Sequence, residues 1–418
     1  MILNSPKERE MRARMLLGEK VSSCSSCWKL EDRQIRSPRE EVNLEYQTGF
    51  KDLRELSELM EVFPSHEERV EFLSRHEVTF SRRALMLEII LKNTCDMQCV
   101  YCSHHYSSRW LAERLKYKEI PENQLSAENP EVDPNLRNKL LQWVRDEGAH
   151  TMRAINFIGG EPSLIPDFYE LSEEMVEIFK EKGNKEVYLS LVTNLNSLPK
   201  IFDKFLDHLK KLSQSFSRLD IAISMEAFGE RAEYIRHGLN WQRWSENFEK
   251  LIQNKTDNMS LSIIPTTNLL SISSLPQFIE YLGEISEKYS VGIGLKGNVV
   301  SDPLANSPML LTEDFVGYFD QAMARLRSRS DKMDSYVKKD TDETFYTWKK
   351  YEAFLGTIRD SIVGRQLAEG EKKIIREFYS RYDQRRKLNI YKTFPEYRNF
   401  FNECGVAEVS LKELQNEC

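Results

Sequence analysis

The sequence predicts an α/β fold built on a partial (β/α)6 barrel, with a small cysteine-bearing block before it and a helical region after it. Three observations point there. Six short apolar runs recur between residues 84 and 305, each opening into a loop. Amphipathic stretches separate them, and strands alternating with helices imply a parallel sheet with right-handed crossovers. Beyond about residue 310 the strand pattern stops and helix spacing takes over. Six units fall short of the eight that close a full barrel.

In chain order, residues 1–50 form the cysteine block around CSSCWKLEDRQIRSPREEVN, with Trp28 as a local core residue. Residues 51–80 read as a helical connector, because KDLRELSELMEVFPSHEERVEFLSRHE carries Leu and Val at helix spacing, broken at Pro64. The core spans 81–305. Its strands are expected in ALMLEIILKNTC, AINFIGGEPSL, VYLSLVTNLN, RLDIAISMEAF, NMSLSIIPTTN and SVGIGLKGNVV. Its helices are expected in DFYELSEEMVEIFKEKG, IFDKFLDHLKKLSQSF and WSENFEKLIQNK. Residues 306–418 make the helical region, and DKMDSYVKKDTDET within it is the best candidate for a mobile linker.

Composition narrows the class. Hydrophobic residues make up 40% and charged residues 30% of the 418, which is ordinary for a soluble globular chain. No apolar run reaches the roughly 18 residues of a membrane helix. The charged opening MILNSPKEREMRARMLLGEK lacks the apolar core of a secretory signal, so a cytoplasmic location without a membrane partner is expected. The net charge of −7 argues against nucleic acid, and the basic patches KKYEAF and RYDQRRK have acids close by. Seven clustered cysteines in a reducing compartment point to metal or redox chemistry rather than disulfide staples.

The chemistry concentrates in LKNTCDMQCVYCSHHYSSRW, where Cys95, Cys99 and Cys102 stand in a C-x3-C-x2-C pattern just after the first core strand. Parallel α/β sheets place their sites at that carboxyl end. Three thiolates can hold three corners of a 4Fe–4S cluster and leave the fourth iron open. Spacing alone also allows zinc with His104 or His105 as a fourth ligand. At the end of the second strand comes FIGGEP. Gly159 and Gly160 allow close approach of a ligand, and Glu161 can accept a charge-assisted hydrogen bond from an ammonium group.

This combination resembles the radical S-adenosylmethionine enzymes over roughly residues 84–305. The resemblance implies a TIM-like partial barrel in which Cys95, Cys99 and Cys102 ligate the cluster. Tyr101 fills the aromatic place beside adenine. Gly159, Gly160 and Glu161 bind the methionine amine, and Thr193 and Asn194 occupy the third-strand end. Ser224 and Glu226 sit near the ribose, where the family often has Ser-x-Asp, so Glu226 departs from the pattern. Arg236 is a candidate for the methionine carboxylate, against the alternative of a surface arginine. Thr267 and Asn268 resemble the fifth-strand end. Lys296, ending the sixth strand, faces either substrate or solvent.

Cys24 and Cys27, in C-x2-C-W, resemble one end of the cysteine-rich extension called SPASM or twitch. Asp383, Arg386 and the FPE of residues 394–396 resemble the other end, more loosely. Such extensions begin with further cysteines upstream, and none of the 23 residues before Cys24 is cysteine. Cys24, Cys27, Cys404 and Cys418 could form a four-thiolate site, which leaves an iron–sulfur cluster, zinc or no metal open. The resemblance implies reductive cleavage of S-adenosylmethionine and hydrogen-atom abstraction from a substrate. That substrate is a peptide or protein by slight preference, or a small molecule such as a sugar. The electron donor would be a reductase or a flavodoxin-type protein. The reading from another class is a non-catalytic metal-binding interaction protein.

Overall fold

A computed structural model describes residues 5–32, 37, 65–75, 86–120, 134–341 and 346–408. The chain divides into two units, Met1–Ala84 and Leu85–Cys418. In the first, α1 (Pro6–Leu16) starts with proline in its first turn, and the Ser5 side chain caps the Glu8 N–H. The helices α2 (Ser25–Glu31) and α3 (His66–Arg75) follow. Ala13, Val70 and Leu73 form a small apolar cluster between α1 and α3. Cys24 and Cys27 are half-buried, and the Trp28 indole donates to the Val21 carbonyl at 2.8 Å. The part of the expected connector at residues 51–64 lies outside the described residues.

The second unit is built on a parallel six-stranded sheet. Its strands are β1 (Met86–Ile90), β2 (Ala154–Ile158), β3 (Tyr188–Thr193), β4 (Leu219–Ser224), β5 (Met259–Ile264) and β6 (Ile293–Leu295). They lie side by side in that order, each parallel to the next. Along YLSLVT and MSLSII fully buried residues alternate with half-buried ones, as the period of a strand dictates. Leu189, Leu191, Ile221, Ile223, Leu261 and Ile263 are all buried. The sheet does not close, because β1 and β6 are its two edges. The six expected strands are therefore present as a partial barrel.

Helices return the chain between strands. These are α4 (Ser108–Lys116), α5 (Pro134–Asp146), α6 (Pro166–Lys182), α7 (Pro199–Ser215), α8 (Gly229–Ile235), α9 (Trp241–Gln253) and α10 (Leu275–Tyr289). Their starts are written locally. Pro166 and Pro199 open α6 and α7, where a missing N–H costs nothing, and the Asn240 side chain caps the Arg243 N–H of α9.

The C-terminal region contributes α11 (Val316–Thr341), α12 (Trp348–Ile362), α13 (Glu369–Arg386), α14 (Ile390–Thr393) and α15 (Arg398–Cys404). It shares one continuous apolar core with the sheet: Trp348, Tyr379, Tyr382, Tyr397 and Phe401 belong to the same buried cluster as Leu191 and Ile223. The expected linker DKMDSYVKKDTDET is corrected here, since residues 331–341 continue α11. The charges hid Met333 and Val337, which sit one turn apart and are 1% and 2% exposed. Asp334, buried between them, accepts the Trp348 N–H at 2.7 Å and so caps α12. Residues 342–345 lie outside the described set.

Candidate functional site

The cysteine loop leaves β1 and is fixed before it reaches α4. Met97 and Val100 are buried anchors between the cysteines. The Ser107 hydroxyl donates to the Met97 carbonyl at 2.6 Å and caps the Trp110 N–H of α4. Cys95 N–H donates to the Ser108 hydroxyl, and the Trp110 indole donates to the Cys99 carbonyl at 2.9 Å. On the other side Gln98 and Cys99 pair antiparallel with His237 and Arg236. Helix α13 presses on the same loop: the Tyr382 hydroxyl donates to the Gln98 carbonyl at 3.2 Å. Arg386 pairs with Glu113 of α4 at 2.6 Å and lies over the Trp110 ring. The Asn306 amide donates to the Val100 carbonyl at 2.9 Å and accepts from the Tyr379 hydroxyl at 2.7 Å.

The Gly-Gly turn meets this loop directly. Gly159 and Gly160 take φ of +76° and +61°, and the Glu161 N–H donates to the Thr94 carbonyl at 2.7 Å. A Cβ on Gly160 would stand 2.4 Å from the Lys92 carbonyl oxygen, so no other residue fits.

One cavity of about 380 Å³ opens at this end of the sheet. Cys95, Cys99 and Cys102 face it together with Tyr101, Gly159 and Gly160. From the neighbouring strand ends Thr193, Asn194, Ser224 and Arg236 reach it as well. Burial pushes each of the three thiols up to about 12; a neighbouring cysteine adds to each shift, and Arg236 opposes it at Cys99 and Cys102. Three such groups become thiolates only beside strong positive charge, which is what a metal centre supplies. Side-chain N–H groups already approach two of them. Asn194 Nδ2 lies 3.8 Å from Cys95 Sγ, and Arg236 Nη1 lies 3.8 Å from Cys99 Sγ. The donor set therefore fits a sulfur-ligated cluster that would take three of its ligands from these cysteines. Among the described residues, no three His, Cys, Asp or Glu side chains are grouped as one metal ion requires. His104, considered as a zinc ligand, is buried with its ring against Arg114 (2.6 Å), and His105 is exposed.

Two predicted site residues lie beside the cavity rather than on its wall. Glu161 is fully buried and accepts from Ser163 N, Ser163 Oγ, Thr193 Oγ1 and Asn194 N at 2.7–3.1 Å. Oε1 takes three of these bonds and Oε2 one, so the carboxyl joins the ends of β2 and β3 and does not line the cavity. Glu226 is also fully buried, bound to Arg236 and to the Tyr101 hydroxyl. Arg236 is 3% exposed, which disposes of the surface-arginine alternative. Thr267 is buried and Asn268 caps its own turn through Leu270 N and Ser271 N, while Thr266 takes the expected place on the cavity wall. Lys296 lies over the Tyr346 ring at 5.2 Å. Cys404 is buried on α15, and Cys418 lies outside the described residues.

Sequence reasoning missed Asp96 and Asn196. Asp96 accepts from Asn194 Nδ2 at 2.9 Å and Asn196 Nδ2 at 2.7 Å, and Asn196 also donates to the Gly238 carbonyl. The available signal was the acid directly after Cys95 together with the alternating asparagines of TNLN.

Burial pushes the Glu161 carboxyl up to about 7, against the hydrogen bonds from Asn194, Ser163 and Thr193 that pull it down. The folded chain thus holds a proton that an unfolded glutamate, near pH 4.3, releases. Stability from this group is complete below about pH 4.3 and is lost as pH rises to about 7. Glu161→Gln is expected to flatten the pH dependence of the urea midpoint between pH 5 and 7. An unaltered slope would show that Glu161 does not carry that proton.

Residues 89–282 match the family model described as the Radical SAM superfamily. No curated protein sequence matches the chain. Among solved structures, the chain is similar to native anSMEcpe with bound AdoMet at 16% identity, with TM-score 0.39 over 59% of this chain and 60% of that one. It is similar to Streptococcus suis SuiB bound to S-adenosylmethionine at 13% identity, with TM-score 0.40 over 68% and 60%. A third is the FeFe-hydrogenase maturase HydG from Carboxydothermus hydrogenoformans, at 13% identity and TM-score 0.36 over 96% and 99%. The chain covers 60% of the length of the first two.

Proposed function

We propose that this chain, whose residues 89–282 carry a radical SAM superfamily domain, is an iron–sulfur enzyme that cleaves S-adenosylmethionine reductively and takes a hydrogen atom from a substrate. The observation that carries the reading is the meeting of three buried thiols and a Gly-Gly turn on one cavity at the carboxyl end of a parallel sheet. A 4Fe–4S cluster held there would supply one electron for reductive cleavage of the sulfonium bond of S-adenosylmethionine.

The chain's own residues do the holding. Cys95, Cys99 and Cys102 ligate three irons. Gly159 and Gly160 bring bare backbone to the methionine end, where no side chain would fit. Tyr101 offers a ring to the adenine, and Thr193, Asn194 and Ser224 offer polar atoms to the amine and ribose. Arg236 closes the wall on the Cys99 side. Helix α13 braces the cysteine loop from outside through Tyr382 and Arg386 and limits water there. Among the described residues no helix is long and apolar enough to cross a membrane.

The favoured substrate is a peptide or protein, with a small molecule such as a sugar as the other class. Ile90 and Tyr106, 51% and 44% exposed, stand beside Gly159 and give an extended chain an apolar surface to lie on. The proposal includes Cys24 and Cys27 as the protein ligands of a second metal, in keeping with a partial SPASM or twitch extension. Electron paramagnetic resonance tests the central part. S-Adenosylmethionine added to the reduced, reconstituted protein should change the cluster spectrum, because the open iron takes a new ligand. An unchanged spectrum at saturating cofactor would refute the open-iron reading. Iron and zinc counted on the same preparation, with and without Cys24→Ala and Cys27→Ala, separate a second cluster from zinc and from no metal.

A further inference from the structure

Arg236 is placed unlike an ordinary cofactor-binding arginine. It is 3% exposed and its partner Glu226 is 0% exposed. Three bonds hold the guanidinium on the carboxylate: Nε to Oε1 at 3.1 Å and to Oε2 at 3.2 Å, and Nη2 to Oε2 at 2.5 Å. The Tyr101 hydroxyl adds a further bond to the same carboxylate at 3.0 Å, and the guanidinium carbon stands 5.5 Å from the Tyr101 ring centroid. The backbone fixes the rest, since Arg236 pairs with Cys99 across the short antiparallel ladder and Val100 N–H donates to the Ile235 carbonyl at 2.8 Å. All of this aims Nη1 at Cys99 Sγ, 3.8 Å away. A buried ion pair of this kind is costly to build and adds little net stability. Its aim at one sulfur gives it a use.

We infer that Arg236, held by Glu226, is a positioning residue that sets the reduction potential of the iron–sulfur cluster through the Cys99 sulfur. The inference rests on the cluster assignment proposed above. An N–H on a ligating sulfur draws electron density from it and favours the more negative, reduced cluster, so it raises the potential. The guanidinium charge acts in the same direction, and the Glu226 carboxylate opposes it. The step concerned takes a 4Fe–4S group from the 2+ to the 1+ level by one electron from an external reductant. No bond forms or breaks and no proton moves.

The two partners therefore carry opposite signs, which a merely structural pair would not. Replacing Arg236 removes the N–H and the positive charge, and the potential falls. Replacing Glu226 by its amide leaves the guanidinium unopposed, and the potential rises. The magnitude is that of one charge-assisted hydrogen bond on a ligating sulfur, about tenfold in the reduction equilibrium constant.

The experiment is an anaerobic potentiometric titration of the reconstituted full chain with titanium(III) citrate, followed by electron paramagnetic resonance. Arg236→Met should lower the reduction equilibrium constant about tenfold, about 59 mV for a one-electron couple. Glu226→Gln should raise it by a similar factor. The double variant Arg236→Met/Glu226→Leu leaves no buried charge unpaired, so it decides the matter if a single variant does not fold. It should titrate below the wild type. Shifts of the same sign in both single variants would overturn the inference. So would a folded double variant that keeps the wild-type potential or assembles no cluster. A wild-type protein without a Cys95/Cys99/Cys102-dependent signal would instead break the cluster assignment itself, before any variant is compared.

Discussion

Cys95→Ala, Cys99→Ala and Cys102→Ala, each alone, are expected to abolish the three-thiolate cluster and with it all S-adenosylmethionine cleavage. The effect is all-or-none because each thiolate would serve a different iron of the proposed cluster and no neighbouring side chain can replace it. His104 is engaged with Arg114, and the Asn194 and Arg236 groups nearest the thiols are N–H donors that cannot bind iron. The fold should survive. The loop is held by Ser107, Ser108, Trp110, Tyr382 and Asn306, none of which bonds through a cysteine side chain. Circular dichroism should therefore match the wild type while iron and sulfide counts fall by one cluster per chain. Full iron content in any of the three variants would remove that cysteine from the ligand set.

Gly160→Ala should be the most damaging single substitution outside the cysteines. The left-handed backbone at φ +61° costs an alanine about 1–2 kcal/mol. The larger part is steric, since the new methyl would lie 2.4 Å and 2.8 Å from the Lys92 and Thr94 carbonyl oxygens. Those are backbone atoms of the cysteine loop and cannot swing aside. Relief requires moving the turn off the loop, which breaks the Glu161 N–H bond to Thr94 and adds about 1–3 kcal/mol of packing strain. Gly183→Ala is the control. It sits at φ +70° after α6 with no atom within 4 Å of the added methyl, so it should cost only the backbone term. Urea denaturation of the two variants should differ by about 1–3 kcal/mol, and only Gly160→Ala should lose S-adenosylmethionine affinity. Equal losses would mean that the close approach of turn and loop is unimportant.

The barrel was legible because its strands put buried apolar residues at every second position and alternate with amphipathic helices. Runs such as LSLVT and LSII cannot be placed anywhere else, and the glycines at the end of β2 announce a turn that needs positive φ. The cysteine spacing was equally plain, since three thiols within eight residues point to metal or redox chemistry. What pattern could not reveal was direction. Glu161 and Glu226 were expected to face the ligand, yet each is folded back onto donors supplied by other strands: Thr193 and Asn194 for one, Arg236 and Tyr101 for the other. Those donors lie 32–125 residues apart from their acceptors, or close by across a turn, and only the assembled sheet brings them together.

The C-terminal helices pose the same problem at larger scale. Asp383 and Arg386 stood out by their resemblance to one end of a cysteine-rich extension. The structure buries Asp383 against the Tyr234 hydroxyl at 2.5 Å and the Ile390 N–H at 2.7 Å, and seats Arg386 between Glu113 and the Trp110 ring. Glu396 of the FPE run pairs with Arg231 at 3.0 Å. These residues tie the end of the chain to α8 and to the cysteine loop. The segment misread as a linker failed for a simpler reason. Its surface charges outnumber the two apolar residues, Met333 and Val337, that decide its conformation.

The most direct test of the account is chemical. The full chain, reconstituted anaerobically with iron and sulfide and then reduced, is mixed with S-adenosylmethionine, and 5′-deoxyadenosine is quantified by mass spectrometry. The account predicts 5′-deoxyadenosine and methionine in equal amounts, and none from the Cys95/Cys99/Cys102→Ala variant. Product that persists in that variant, or a reduced cluster that neither binds nor cleaves S-adenosylmethionine, would contradict it.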